Sequence, residues 1–228
     1  MTSFGASDTA ISLSDAVVAL GGFPALAGVD MTVAHGELVA LRGGNGTGKS
    51  TLLRLCAGLV PLTRGQATVL NVDLGKDRAR VRHLVGLMGH RNGVYADLTA
   101  RENVQFIANL VGASATDVDV ALHRLGIDAR VADTRAVSLS AGQRRRTALA
   151  TLVVRRAQLW LLDEPHAGLD ATGREELDAI LHDATHSGAT VVYTTHEVDR
   201  PGLATPRTIT LQGGRVVGDE HEANRGVL

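Results

Sequence analysis

The stretch that most limits what this chain can become runs from Leu38-Val39-Ala40-Leu41 through Gly43-Gly44-Asn45-Gly46-Thr47-Gly48-Lys49-Ser50 into Thr51-Leu52-Leu53-Arg54-Leu55. It reads as a short buried strand, a complete G-x-x-x-x-G-K-[ST] loop and the start of a helix, which commits the chain to an α/β core. The glycines let backbone N–H groups wrap phosphate oxygens, and the helix N-terminus adds a favourable dipole. Lys49 is placed to reach the β- and γ-phosphates, and the Ser50 hydroxyl to ligate Mg²⁺. Lys49 is one of only two lysines in a chain that otherwise takes its positive charge from arginine, the other being Lys76. The loop points to a bound nucleotide without saying what the nucleotide is for.

The second half of the chain supplies the chemistry. Leu159-Trp160-Leu161-Leu162-Asp163-Glu164 is an apolar strand ending in two adjacent carboxylates. Side chains alternate across a strand, so the two acids are expected to serve different tasks. Asp163 is placed to hold Mg²⁺ through water and Glu164 to accept a proton from an attacking water. Before that strand, Leu139-Ser140-Ala141-Gly142-Gln143 is a small, polar turn opening the helical run Arg144 to Arg156. One loop already surrounds the triphosphate, so a second helix N-terminus makes sense if it caps the γ-phosphate of a nucleotide held by another subunit.

These residues resemble one family, the ATP-binding-cassette (ABC) ATPases, whose signature is L-S-G-G-Q, with Ala141 in place of the first glycine. In the family's order, Gly168-Leu169-Asp170 resembles the D-loop, and Thr195-His196, after the strand Thr190 to Thr194, resembles the switch histidine. The resemblance spans essentially the whole chain. It implies an α/β P-loop NTPase of ABC type, with a RecA-like core, a small antiparallel β subdomain and an inserted helical subdomain. It also implies ATP and Mg²⁺ as cofactors, with Lys49, Glu164 and His196 as the catalytic set. Gly43 to Thr51 would bind the nucleotide, and Leu139 to Gln143 would contact it in trans. The implied partners are integral-membrane permease subunits and a second copy in a nucleotide-sandwich dimer, at the cytoplasmic face of the cell membrane.

The place normally held by the Q-loop glutamine falls on His90, in Leu87-Met88-Gly89-His90-Arg91-Asn92-Gly93, upstream of Glu102-Asn103-Val104. That histidine, the signature alanine, Arg144-Arg145-Arg146 and the Leu159-Trp160 pair are similar to the ATP-binding subunits of the haem exporter used in cytochrome c maturation. The resemblance implies ATP-driven export, with haem as the substrate. Two alternatives stay open: an ABC exporter with another substrate, and a non-transport ABC ATPase of translation or DNA repair. His90 is open between metal contact and coupling to the membrane subunit. Leu20 stands where the family's adenine-stacking aromatic would be, with Phe23 near enough to substitute, so weak base discrimination is expected. Of the three consecutive arginines only Arg146 matches a family position, and Arg144 and Arg145 are expected to be solvated. His166 and His182 are expected to be hydrogen-bonded bystanders and not metal ligands.

Composition limits the alternatives. With 228 residues and 44% hydrophobic content, one α/β core with an inserted subdomain can be buried, but not two cassettes. Lys and Arg number 23 against 24 Asp and Glu, so no global basic field argues for nucleic acid as a partner. The single Cys56 excludes an intrachain disulfide framework and fits a reducing compartment. No run approaches the roughly 18 apolar residues that span a bilayer, and Met1 to Ala10 lacks a signal-peptide pattern. The expectation is a cytoplasmic chain, soluble by itself. Residues 1–228 read as one nucleotide-binding domain, with a helical subdomain over about 91–150. Ile11 to Leu20, Ala25 to Val33 and Gly65 to Leu74 read as strands of the small antiparallel sheet. Two apolar stripes, Val104-Ile107-Ala108-Val111 and Val118-Leu122-Leu125, mark helices. Thr208 to Val217 reads as a hairpin, with a loosely ordered tail from Gly218.

Overall fold

The computed structural model describes residues 9–89, 92–196 and 206–220. They fall into two compact units, one drawn from Met1–Leu87, Gln158–Glu164 and Leu181–Leu228, the other from Met88–Ala157 and Pro165–Ile180.

The first unit holds two sheets. In the antiparallel one, β1 (Thr9–Leu20) pairs with β2 (Phe23–Ala34) and with β4 (Arg64–Val69), which in turn pairs with the short β5 (Val72–Asp73). Gly21 and Gly22 turn β1 into β2 with φ of 57° and 85°, the left-handed pair that a two-residue hairpin needs. Phe23 is therefore already a strand residue opposite Leu20, and not part of a four-residue loop. The expected single strand from Gly65 to Leu74 is interrupted. Leu70 and Asn71 take φ of 47° and 62° and fold it into a hairpin, and Leu74 opens the short helix α2 (Leu74–Asp77). Leu70 tolerates this backbone because its side chain is buried and its N–H donates to Ala10 O at 2.8 Å.

The second sheet has the order β10-β9-β3-β8-β7-β6. Here β3 is Leu38–Arg42, β6 Val85–Met88, β7 Leu159–Leu162, β8 Thr190–Thr195, β9 Arg207–Gln212 and β10 Arg215–Glu220. The strands β7, β8, β3 and β9 run parallel, and β10 returns antiparallel through Gly213-Gly214. The inner strands β3, β7 and β8 are buried at successive positions, so both of their faces are covered, and β3 and β7 read as apolar runs accordingly. Helix α1 (Lys49–Cys56) buries Leu52, Leu53, Leu55 and Cys56 in the core that Leu41, Leu159, Leu161, Val192 and Ile209 also build. The hairpin strand β10 continues to Glu220, past the expected start of the tail, and an ion-pair network holds it. Arg207 donates to both Asp219 carboxylate oxygens at 2.7 and 2.6 Å, to Glu37 at 3.1 Å and to Thr32 O at 2.9 Å.

The second unit is helical: α3 (Ala100–Val111), α4 (Ala115–Arg124), α5 (Ala129–Ala132) and α6 (Ala141–Val154), with the start of α7 (Ala171–His186). Capping boxes open three of these helices, Thr99 with Glu102, Ser114 with Asp117 and Ser140 with Gln143. The stripe Val118, Leu122 and Leu125 is buried. The α3 stripe is narrower than expected, with Val104 and Ala108 fully buried but Val111 48% exposed, since Gly112 ends the helix at φ 70°. Among the described residues no helix is long and apolar enough to cross a membrane.

Candidate functional site

Three adjacent parallel strands deliver the candidate residues of the first unit to one edge. Arg42 pairs with Thr195 and Leu162 with Tyr193, so β3, β8 and β7 end together. The glycine-rich loop, His196 and the Asp163-Glu164 pair leave the sheet from those three ends. Crevices at the carboxyl ends of parallel strands are where open α/β sheets bind ligands.

Two of the loop's glycines are demanded by the fold itself. A Cβ on Gly43 (φ 149°) would stand 2.4 Å from Leu211 O, and one on Gly48 (φ 104°) 2.6 Å from Ala25 O. Gly46 has φ 74° with nothing within 4 Å of a Cβ, and Asn45 beside it is exposed, so that side of the loop is open. Thr47 Oγ1 donates to Gly44 O at 2.9 Å and tightens the turn. Lys49, 6% exposed, lies back over the loop and donates to the carbonyls of Gly43 and Gly44 at 2.8 and 2.9 Å. An ammonium so placed is already aimed at the space inside the loop. Ser50 and Thr51 follow in the first turn of α1, both half-buried.

Asp163 and Glu164 separate for a reason other than strand alternation, because β7 has already ended at Leu162. Glu164 takes the left-handed backbone, φ 50°, which costs a non-glycine residue about 1 kcal/mol or more. The fully buried Thr194 at the end of β8 holds it there: Glu164 N donates to Thr194 Oγ1 at 2.7 Å, and that hydroxyl donates to Asp163 Oδ1 at 2.8 Å. One threonine thus orients both acids, and the sequence reading missed it. The strand carries hydroxyls at Thr190, Tyr193, Thr194 and Thr195, so nothing in the sequence singles this one out. The second acid then meets His196, whose Nε2 lies 2.7 Å from Glu164 Oε1. With their side chains 32% and 40% exposed, this carboxylate and imidazole remain reachable by water.

Among the described residues no three His, Cys, Asp or Glu side chains converge to hold a metal. A divalent cation here would draw most of its ligands from phosphate and water oxygens. That suits Mg²⁺, which keeps several waters and takes only one or two protein oxygens, and Ser50 and Asp163 are such donors. His90, the expected departure at the Q-loop position, lies outside the described residues. Leu20 and Phe23 are 41% and 79% exposed, so Phe23 does not pack into its turn.

In the second unit, Leu139 is buried and the rest of the signature forms the first turn of α6. Ser140 Oγ accepts from Gln143 N at 3.2 Å while Gln143 Oε1 accepts from Ser140 N at 2.9 Å. Arg144 N bonds back to Ser140 O, which leaves the N–H groups of Ala141 and Gly142 to donate outward. Ala141 sits at the first helical position, where alanine needs no special backbone, so its replacement of glycine is unstrained. Gly142 has no internal reason to be glycine: a Cβ there would meet Leu169 Cδ2 at an ordinary 3.6 Å. At the D-loop, Asp170 Oδ1 accepts from Gly173 N at 2.8 Å and caps α7.

One expectation fails in this unit. Arg145 is not solvated but 7% exposed, because its position on α6 faces the loop before α7, where its Nη2 donates to Ala167 O at 3.3 Å. Arg144 is half-buried and donates to Leu139 O. His166 is hydrogen-bonded, its Nε2 lying 2.6 Å from Asp178 Oδ1, with the side chain 10% exposed. His182, in the part of α7 that belongs to the first unit, is half-exposed.

The edge of the first unit is that of a P-loop nucleoside triphosphatase. Residues 26–167 match the ABC transporter family. The cytochrome c biogenesis ATP-binding export protein CcmA of Rhodopseudomonas palustris (strain BisB5) is 38% identical over 176 residues, 77% of this chain and 86% of that protein. Its namesake in Salmonella typhi is 40% identical over 188 residues, 82% of this chain and 89% of that protein. A dimeric post-hydrolysis structure of the ATP-binding cassette MJ0796, bound to ADP and Pi, superposes with a TM-score of 0.81 at 27% identity, covering 92% of this chain and 97% of that one. The structure of cbiO1 from Clostridium perfringens, part of the ABC transporter complex cbiONQ, gives 0.82 at 28% identity, covering 93% and 88%. The chain belongs to the ABC transporter ATP-binding family, and it is an ABC-type ATPase.

Proposed function

We propose that this ATPase drives export for cytochrome c assembly, with haem as the cargo, through integral-membrane subunits at the cytoplasmic face of the cell membrane. The similarity to the two proteins named for cytochrome c biogenesis supports the process. Two copies sandwich two ATP molecules, each using its own Gly43–Thr51 loop and the other's Leu139–Gln143 turn. Gly142 carries this reading: a glycine in a helix is destabilising, nothing in its own chain requires it, and it stands where outward N–H groups would meet an approaching anion.

Within each site Lys49 and the loop N–H groups hold the β- and γ-phosphates. Ser50 directly, and Asp163 through water, would hold Mg²⁺, which when bound screens phosphate charge. Glu164 accepts the proton of the attacking water, and His196, bonded to that carboxylate, orients it and faces the γ-phosphate. The Ser140 hydroxyl accepts from Gln143 N and keeps its own proton to donate to a phosphate of the other copy.

Glu164→Gln tests the catalytic part. It should retain ATP binding, lower turnover roughly 10²–10⁴-fold and accumulate an ATP-bound dimer on size exclusion. A monomeric variant with normal turnover would sink both the base and the sandwich. For the cargo, cells lacking the chain should lose covalently haem-stained c-type cytochromes and regain them with the wild type but not with Glu164→Gln. Normal maturation without the chain removes the haem reading and leaves the ATPase untouched.

A further inference from the structure

The loop that carries the D-loop aspartate is held by cations from two helices. Arg145 on α6 donates to Ala167 O at 3.3 Å, and Arg174 on α7 donates through Nε to Leu169 O at 2.9 Å. Its start is tied by the short His166–Asp178 contact and its end by the Asp170 cap on Gly173. The Leu169 side chain, 9% exposed, lies beside Gly142 of the signature turn. Arg145 is the member that joins the two motifs, since its own helix begins with Ser140-Ala141-Gly142 and its guanidinium ends on the loop. A buried guanidinium is costly to desolvate, so one bonded to a main-chain carbonyl fixes geometry at the expense of stability.

We propose that Arg145 is a positioning residue that locks the loop Ala167–Asp170 to the signature helix, so that Ser140, Gly142 and Asp170 meet the second copy as one rigid surface. The inference rests on the reading that two copies share each nucleotide. Association with one preformed surface loses less freedom than association with a helix end and an independent loop. Nucleotide affinity of a single copy, set by the Gly43–Thr51 loop, does not involve Arg145. Its removal therefore separates two quantities that a general folding defect would lower together.

The test uses Arg145→Met, which keeps apolar bulk and deletes every donor, in the full chain. Binding of a fluorescent ATP analogue to the isolated copy should stay within about twofold. The protein concentration for half-maximal ATPase should rise by about tenfold or more, and the ATP-dependent dimer of Glu164→Gln should weaken equally when Arg145→Met is added. Arg145→Lys, which retains a cation and a donor, should recover most of the loss. Arg174→Gln alters the half-buried hold from the other helix, and should shift the concentration dependence the same way by less, which preserves the test if Arg145→Met does not fold. A folded Arg145→Met with wild-type concentration dependence overturns the proposal, as does a loss of single-copy nucleotide affinity in step with activity. Failure of the wild type to self-associate in ATP is a different result: it removes the shared-nucleotide reading before any arginine is changed.

Discussion

Gly142→Ala should make this chain more stable and less active. The residue is the second of α6, with helical backbone, and a methyl there would meet Leu169 Cδ2 at 3.6 Å and Ser140 Oγ at 4.0 Å, both ordinary contacts. Alanine in place of glycine gains about 1 kcal/mol in a helix interior, so roughly half that is expected in a first turn. A contact with the buried Leu169 adds a few tenths, for a total of about 0.5–1 kcal/mol. In a chain of this size that raises Tm by about 1–4 °C. The same methyl stands among the outward N–H groups of Ala141 and Gly142. Holding an incoming phosphate off by about 1 Å forfeits a charge-assisted hydrogen bond, about 1.5–3 kcal/mol, or roughly 10–100-fold in turnover. Thermal melts and steady-state ATPase assays on the same preparation read both signs at once. A raised Tm with unchanged turnover would refute the claim that the glycine serves an approaching ligand. A lowered Tm would refute the account of its backbone.

Three further outcomes are expected. Thr194→Val keeps shape but removes the hydroxyl between Glu164 N and Asp163 Oδ1; it should cost about 1–3 kcal/mol in urea unfolding and lower kcat at least tenfold, and near-normal turnover would show that the acids orient themselves. Arg207→Met leaves Glu37 and Asp219 facing each other without their cation, and should lower stability by about 2–4 kcal/mol, seen as a Tm drop of roughly 5–10 °C that leaves single-copy nucleotide affinity unchanged. Burial pushes the Cys56 thiol from 9.0 up to about 12, so its contribution to stability is complete below pH 9 and is lost as pH rises towards 12, where only the unfolded chain ionises freely. A thiol reagent at pH 8 should therefore label Cys56 no faster than the chain unfolds, and immediate labelling of the native protein would contradict that burial.

What could be read in advance depended on how far apart the cooperating residues lie. The loop Gly43–Ser50 and the pair Asp163-Glu164 are each contiguous, so residue type and spacing marked them, although the contacts that demand Gly43 and Gly48 and hold Glu164 come from Leu211, Ala25 and Thr194. Arg144, Arg145 and Arg146 look alike in sequence, and only the rotation of α6 decides which is buried. Thr194 and His166 act through Asp163, Glu164 and Asp178, whose distance along the chain hides the partnership. Helix α7 went unread because Ala171 to His186 carries only three buried apolar positions, Leu177, Leu181 and Ala184, against many charges. The hairpin at Leu70-Asn71 was missed because a leucine in the left-handed region runs against its own preference, and buried packing overrides that preference.

The placement of β8 between β3 and β7 has a consequence for biosynthesis. The strand bearing the glycine loop and the strand bearing the acids are not neighbours; on the sides that face each other, both pair with the later-made strand that ends in Thr194 and Thr195. A nascent chain that has emerged through Glu164 therefore carries two apolar strands with bare facing edges, and neither acid has its threonine. Such edges are templates for intermolecular pairing, and their closure over so long a loop is slow. The chain is consequently most exposed to aggregation in the interval before residues 190–195 leave the ribosome. Until then Asp163 and Glu164 also lack the Thr194 hydroxyl and the His196 imidazole, so the edge that carries them is not assembled.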